Sequence, residues 1–293
     1  MRPPALLEMM IVHLNGKFMP VAEASISPDD RGFLFADGVY EVVYGYEGFL
    51  FRAESHWKRM HRSLGELRIR GCEDLDFDAL SQELLRQNRL TETDAYVYIQ
   101  ITRGAAPRDH APPTGIEPTI YAFARPMKKI GALQRSGCKV VTAPDVRWLR
   151  CDIKSISLLP NVLAKEAAVE AAAFETIMIR DGKITEGSSA GFAAVFNNQL
   201  VTAPLGNLIL PSITREVTME LCQQLGISVA EEFIPAASMH GAQEAMIMST
   251  TAEIMPVIEI DGQPVAGGTP GPICRKLQEA FRTRVAQDKA VCA

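Results

Sequence analysis

The sequence lacks a paired-cysteine motif, a long apolar run, a nucleotide fingerprint and a dominant charge, and each absence closes a class of function. Six cysteines (Cys72, Cys138, Cys151, Cys222, Cys274 and Cys292) lie far apart, with no CxxC and no Cys/His cluster. That excludes a zinc ribbon and a disulfide framework and leaves buried thiols in a reducing compartment. No metal is expected. No uninterrupted apolar stretch reaches about 18 residues, so no transmembrane helix is expected. The opening MRPPALLEMM is too short and too weakly apolar for a signal peptide. Met9 and Met10 stand directly before the first strand-like segment, so residues 1–9 read as an extension. A cytoplasmic location is expected. The net charge of −5 offers no basic surface for nucleic acid or an anionic membrane. No GxGxxG follows a strand and no GxxxxGK[ST] occurs, which removes the usual support for a nucleotide fold.

What is present is a globular composition, 47% hydrophobic and 22% charged over 293 residues, enough for one large domain or two ordinary ones. MIVHL (10–14) runs into Asn15-Gly16, a hairpin signal. VYEVVYGY (39–46) reads as a strand that turns at Glu47-Gly48. Over 54–68, Trp57, Met60, Leu64 and Leu67 share one helical face. A helix over 77–89 and strands over 95–103 and 118–124 follow. Residues 125–137 carry Pro, Gly and little periodicity and read as an interdomain linker, between an N-terminal domain (1–124) and a C-terminal one (138–293). Beyond it come a strand at 138–143, helices at 160–173 and 213–225, strands at 174–180 and 192–202 (broken at Asn197-Asn198), two strands within 245–260 and a last helix over about 270–287. Both halves mix helix with hairpin-rich sheet, so an α+β fold is expected rather than a doubly wound sheet.

Several residues have the chemistry of a site, though each has a plain alternative. Lys154 lies among Cys151, Ile153, Ile156, Leu158 and Leu159. Such a lysine either snorkels to water or is desolvated, which lowers an amine's pKa and makes it a nucleophile. Glu186, in KITEGSSAGF, stands at a strand end before a small-residue turn. It is either a solvated turn acid or a carboxylate able to hold a protonated ring nitrogen. Ser212 begins LPSITREV, an ordinary cap or a helix start whose free N–H groups bind phosphate. Ser249-Thr250-Thr251 follows a strand and suits an anion-binding turn. Arg59 lies off the apolar stripe of its helix, where a solvated arginine is the plain reading. Arg108 and His110 share a Gly/Pro-rich loop, either merely basic or a carboxylate clamp. Tyr40 projects from a strand. A lysine, a ring-nitrogen acid and several phosphate donors together are the parts of a pyridoxal phosphate site.

The segments DRGFLFADGVYEVV (30–43), HWKRM (56–60), TRGAAPRDH (102–110), RWLRCDIKS (147–155), TEGSS (185–189), ILPSITRE (209–216) and STTAEIMPVIEIDG (249–262) occur in one order. In this the chain resembles the class IV aminotransferases, the group of D-amino-acid transaminase, branched-chain aminotransferase and aminodeoxychorismate lyase, from about residue 11 to residue 285. The match is strongest with the D-amino-acid enzymes. The resemblance implies a two-domain fold type IV chain, with a small N-terminal α/β domain, a larger C-terminal domain with a barrel-like sheet, and pyridoxal 5'-phosphate between them. It makes Lys154 the lysine that bonds the cofactor and Glu186 the partner of its ring nitrogen. It makes Arg59, Ile213, Thr214 and Thr250 the phosphate cup, and Tyr40, Arg108 and His110 the trap for a substrate carboxylate. It implies transamination between a D-amino acid and a 2-oxo acid. Branched-chain L-amino-acid or (R)-amine transamination, or aminodeoxychorismate cleavage, are the alternatives. In the family the loop of Arg108 and His110 reaches in from a partner subunit, which implies a homodimer. One departure stands out: Gly191 occupies a position where the family carries Asn.

Overall fold

The computed structural model describes residues 10–128 and 130–292. The expected extension over residues 1–9 lies outside them. The chain divides into two compact units. One runs through Met127 and takes in Ile153–Ser157; the other holds Lys128–Asp152 and everything from Leu158 onward. Lys154 therefore clusters with the first unit, although the chain reaches it from the second.

The first unit is built on a six-stranded sheet. Its strands are β1 (Ile11–Leu14), β2 (Lys17–Pro20), β3 (Gly38–Tyr46), β4 (Phe49–Leu50), β5 (Ala95–Thr102) and β6 (Thr119–Pro126), in the order β2-β1-β6-β5-β3-β4. All its pairings are antiparallel. The first hairpin turns through Asn15 and Gly16, both with positive φ (47° and 83°), as a type I′ turn requires. A short helix, α1 (Arg31–Phe35), precedes β3, and α2 (Ala53–Leu67) and α3 (Phe77–Gln87) follow it. Alternation sorts the sheet into two faces. Val39, Val43, Val97, Ile99 and Ile101 are buried in one core with Met60, Leu64, Leu84 and Leu85 of the helices. The opposite face carries Tyr40, Tyr98 and Phe123, stacked in sequence with ring centroids 5.6 and 5.0 Å apart.

The second unit holds α4 (Gly131–Ser136), β7 (Cys138–Pro144), α5 (Leu159–Glu170), β8 (Glu175–Arg180), β9 (Lys183–Gly187), β10 (Gly191–Phe196), β11 (Gln199–Thr202), α6 (Ile213–Leu225), β12 (Val229–Glu231), β13 (Glu244–Ser249), β14 (Glu253–Ile260), β15 (Gln263–Pro264) and α7 (Pro272–Cys292). Its nine-stranded sheet runs β12-β11-β10-β13-β14-β7-β8-β9, with β15 on β14. The pairs β11/β12, β14/β7 and β7/β8 are parallel and the rest antiparallel. The sheet curls, so that β9 at its end approaches β10. Ile177, Ile184, Phe192, Val201, Ile247 and Met255 fill its core. Regular structure reaches into the stretch read as a linker: β6 runs on to Pro126 and α4 occupies 131–136, closed by Gly137 at φ 85°.

Candidate active site

The expected site residues fall on both units: Tyr40, Arg59, Arg108, His110 and Lys154 on the first, Glu186, Ile213, Thr214 and Thr250 on the second.

On the first unit, the segment around Lys154 adds to the open edge of β3. Tyr40 N–H donates to the Lys154 carbonyl at 3.0 Å, Ile156 N–H donates to the Gly38 carbonyl at 3.0 Å, and Ser155 bridges Val39. The Lys154 N–H donates to Ser63 Oγ on α2 at 3.2 Å. With both backbone groups held, the half-buried side chain lays its ammonium 4.2 Å from the centre of the Tyr40 ring. That is cation–π distance, which favours one position for the amine.

Arg59 is buried on the other face of β3. Glu41, the charged residue within the apolar VYEVV strand, takes its Nε at 2.6 Å and Nη2 at 2.8 Å, and His56 Nδ1 lies 2.9 Å from the same carboxylate. Burial alone raises the Glu41 carboxyl. Here Arg59 and then His56 overcome it and hold Glu41 well below the usual carboxylate range. Burial pushes the His56 imidazole down, against the pull of Glu41. Arg59 is thus no solvated arginine. It is a fixed, desolvated cation on a helix that also touches Lys154.

Arg108 and His110 gather on Phe35 of α1. The Arg108 guanidinium lies 5.3 Å from that ring's centre and the His110 ring 5.5 Å from it. Tyr40 is in contact with Lys154 and Tyr98 instead.

On the second unit, Glu186 stands in a β-bulge. The register of β8 and β9 shifts between Ile177↔Gly187 and Ile179↔Ile184, so Thr185 and Glu186 together oppose Met178. A bulge re-aims a side chain out of the alternation, a common device beside reactive sites. The Glu186 side chain is 8% exposed. Its Oε1 accepts a short hydrogen bond from Arg147 Nη1, and both its oxygens share the Leu210 N–H, at 3.1 and 3.2 Å. Arg147 in turn grips Asp145 through Nε at 2.9 Å and Nη2 at 2.8 Å. Asp145 also receives Arg180 at 2.9 Å and the Thr185 hydroxyl at 2.8 Å. Burial raises the Glu186 carboxyl above its ordinary range, against the pull of Arg147 and the Leu210 N–H. Asp145 goes the other way: Arg147 overcomes its burial and holds it at about 2.

Helix α6 starts at Ile213, capped by Ser212, whose hydroxyl accepts from Arg215 N–H at 3.2 Å and whose carbonyl accepts from Glu216 N–H at 3.0 Å. The amides of Ile213 and Thr214 are the ones such a helix leaves over, pointing out of its positive end. Thr250 lies in the turn between β13 and β14, where Ser249 Oγ takes the Ala252 N–H at 3.1 Å. Gly191, at the head of β10, is buried beside that cap. A Cβ there would meet Ser212 Cβ at 3.8 Å and Met248 at 3.7 Å, which are ordinary contacts.

Asp145, Arg147, Glu41 and His56 were missed from the sequence as members of the site. A signal existed for two: Glu41 interrupts an apolar strand, and Arg147 opens the RWLRCDIKS run. The first unit offers a held amine of the kind that bonds a carbonyl carbon; the second offers a buried carboxylate and a helix end with free amides. Among the described residues no group of His, Cys, Asp and Glu could hold a metal ion.

The family model for amino-transferase class IV matches residues 38–260. A D-alanine aminotransferase of Bacillus licheniformis is 40% identical over 286 residues, covering 96% of this chain and 99% of its own. One from Staphylococcus aureus (strain MW2) is 42% identical over 276 residues, covering 92% and 96%. Among solved structures, the branched-chain amino acid aminotransferase of Escherichia coli superposes with a TM-score of 0.85 at 25% identity, over 94% of each chain.

Proposed function

The chain belongs to the class IV aminotransferases, pyridoxal-phosphate-dependent enzymes of fold type IV, and we propose that it moves an amino group between a D-amino acid, such as D-alanine or D-glutamate, and a 2-oxo acid. The observation that carries the substrate class is the 40–42% identity to D-alanine aminotransferases over nearly their whole length.

The donor chemistry fits pyridoxal 5'-phosphate. Lys154 Nζ suits the cofactor's aldehyde, the buried Glu186 its ring nitrogen, and the Ile213 and Thr214 amides, Thr250 and Arg59 its phosphate. When bound, the cofactor supplies an electron sink for the pair left as the substrate's Cα–H bond breaks. Lys154 would hold the cofactor through Nζ, and the same Nζ would serve as the base for the substrate's Cα proton. Glu186 would favour a protonated ring nitrogen, and Arg147 with the Leu210 N–H fixes that carboxylate in place. Arg108 and His110 bind the substrate carboxylate, and Tyr40 flanks the lysine.

We assign a homodimer. Leu159, Val162 and Leu163 on one face of α5 are exposed, as is Phe33 of α1 at 78%, and such apolar surface favours association. The unpaired, buried thiols of Cys72, Cys138, Cys151, Cys222 and Cys274 support a reducing compartment, and we place the enzyme in the cytoplasm. No helix among the described residues is long and apolar enough to cross a membrane.

A half-reaction screen tests the substrate class. Cofactor absorbance is followed as D-amino acids, L-amino acids and amines are added one at a time. D-alanine or D-glutamate should discharge the aldehyde form fastest. A preference for L-leucine or L-valine over every D-amino acid would replace this reading with the branched-chain one.

A further inference from the structure

The loop that carries Arg108 and His110 is exposed at every residue from Pro107 to His110. Exposed loop tips made of polar residues are ordinarily mobile, and a mobile clamp gives little discrimination between substrates. Three sets of contacts restrain this one. Its root is fixed by backbone pairing: Arg31 N–H donates to the Gly104 carbonyl at 2.9 Å, Ala106 N–H donates to the Asp29 carbonyl at 3.1 Å, and Asp30 bridges Ala105. Gly104 sits at φ 101°, and a Cβ there would fall 1.9 Å from the Glu117 carbonyl oxygen, so that corner admits only glycine.

Its tip is fixed by one side chain. Arg31 is 4% exposed. Its Nη1 donates to the carbonyl of Asp109 at 2.6 Å and its Nη2 to the carbonyl of His110 at 3.1 Å. Its Nε is held by Asp37 Oδ2 at 2.9 Å. Asp37 is itself anchored by Arg103, whose Nε and Nη2 reach it at 2.8 and 2.9 Å. The Arg31 guanidinium also lies 4.7 Å from the centre of the Phe35 ring, the same ring that Arg108 and His110 contact. A buried, planar, charge-held fork therefore grips two consecutive peptide carbonyls of an exposed loop. Lysine could not reproduce this, because one ammonium cannot span Asp37 and both carbonyls in a plane.

We propose that Arg31, braced by Asp37, is a specificity-determining positioning residue that presets Arg108 and His110 to receive the carboxylate of the substrate. This rests on the reading of Arg108 and His110 as the carboxylate clamp. A preset clamp binds its anion without first having to order the loop, so the benefit falls on carboxylate affinity.

The test uses the cofactor-loaded enzyme and the variants Arg31→Lys, Phe35→Leu and Arg108→Leu. Two quantities are measured: KM against kcat for D-alanine, and the dissociation constant of propionate, a carboxylate that cannot react, read through cofactor absorbance. Arg31→Lys should raise both KM and the propionate constant by roughly tenfold to a hundredfold, the range of one or two charge-assisted hydrogen bonds. The rise in KM should exceed the fall in kcat, and the unliganded cofactor spectrum should not move. Phe35→Leu should act in the same direction more weakly, and it keeps the idea testable should Arg31→Lys fold poorly. If Arg108→Leu weakens propionate binding while Arg31→Lys and Phe35→Leu leave it alone, the positioning role is wrong and the clamp stands. If Arg108→Leu also leaves it alone, the clamp reading falls, and this proposal with it.

Discussion

Replacing Arg147 by Met withdraws a guanidinium from between two buried carboxylates, and the structure says which of them suffers. Asp145 keeps Arg180 at 2.9 Å and the Thr185 hydroxyl at 2.8 Å, while Glu186 keeps the shared Leu210 N–H. Removing one partner of a buried ion pair costs about 3–5 kcal/mol. We expect the apoprotein's unfolding free energy to drop by about that much near pH 8, mostly through Glu186. The pH dependence has a definite sign. Burial already raises the Glu186 carboxyl, and Arg147 pulls it down, so without Arg147 it rises further. A group whose folded pKa lies above its unfolded value contributes stability that is present below the unfolded value and lost as the pH climbs through the folded one. The deficit of Arg147→Met should therefore be smaller near pH 5 than near pH 8. Adding Glu186→Gln should restore about 2–3 kcal/mol at the higher pH, since no buried charge is then left alone. Urea unfolding of the single and double variants at both pH values measures all of this. A deficit that ignores pH, or a Glu186→Gln change that only adds its own loss, would refute the coupling.

Lys154→Ala should abolish turnover, and borohydride reduction of the parent followed by peptide mass spectrometry should place the cofactor on Lys154; an adduct on Lys165 would overturn the assignment. Glu186→Gln should still bind cofactor but slow Cα–H cleavage by roughly 10²-fold or more, and unchanged single-turnover rates would remove it from the mechanism. Arg59→Ala should weaken cofactor retention by about 2–4 kcal/mol. It also leaves the buried Glu41 without its guanidinium, with His56 and the Val42 N–H still beside it, so Arg59→Ala with Glu41→Gln should regain stability in a melt but not retention after dialysis. Gly191→Ala should change thermal stability little, because a Cβ there meets only ordinary contacts. A collapse in its Tm would show that the space is not free.

The elements were legible where the signal was local. Ser212 and Gly226 bracket α6, and the helix runs over the 213–225 the pattern predicts. Asn197 and Asn198 both take positive φ (51° and 61°) between β10 and β11, where a break was expected. What the sequence withheld was mostly partnership at a distance. Arg147 and Glu186 are 39 positions apart, Glu41 and Arg59 are 18 apart, and Arg31 lies 78 from the carbonyl it holds. Nothing in a local window reports such pairs: Glu41 in its apolar strand and Arg147 at the head of its run stand out singly, but neither points to its partner. The bulge that re-aims Glu186 is hidden for the same reason: it exists only relative to the register of β8. The grouping of Tyr40 with Arg108 and His110 came from the family resemblance. Within the unit, alternation along β3 sends Tyr40 to the aromatic face beside Lys154, while Arg108 and His110 settle on Phe35.

A common device runs through these pairings. Arg59, Glu186 and Arg31 each meet a fixed countercharge: Glu41, Arg147 and Asp37 respectively. A lone buried charge would shift its pKa or draw in water, and either would blur the geometry on which proton transfer and anion binding depend. Pairing removes that instability but also weakens the field each group presents, because an adjacent opposite charge leaves a dipole in place of a net charge. On the proposed reading, anion recognition would rest less on bare charge than on donors already aimed, such as the amides of Ile213 and Thr214 or the carbonyl-anchored loop of Arg108. If the proposed site holds, Glu41, Arg147 and Asp37 should matter to activity through the residues they fix, Arg59, Glu186 and Arg31.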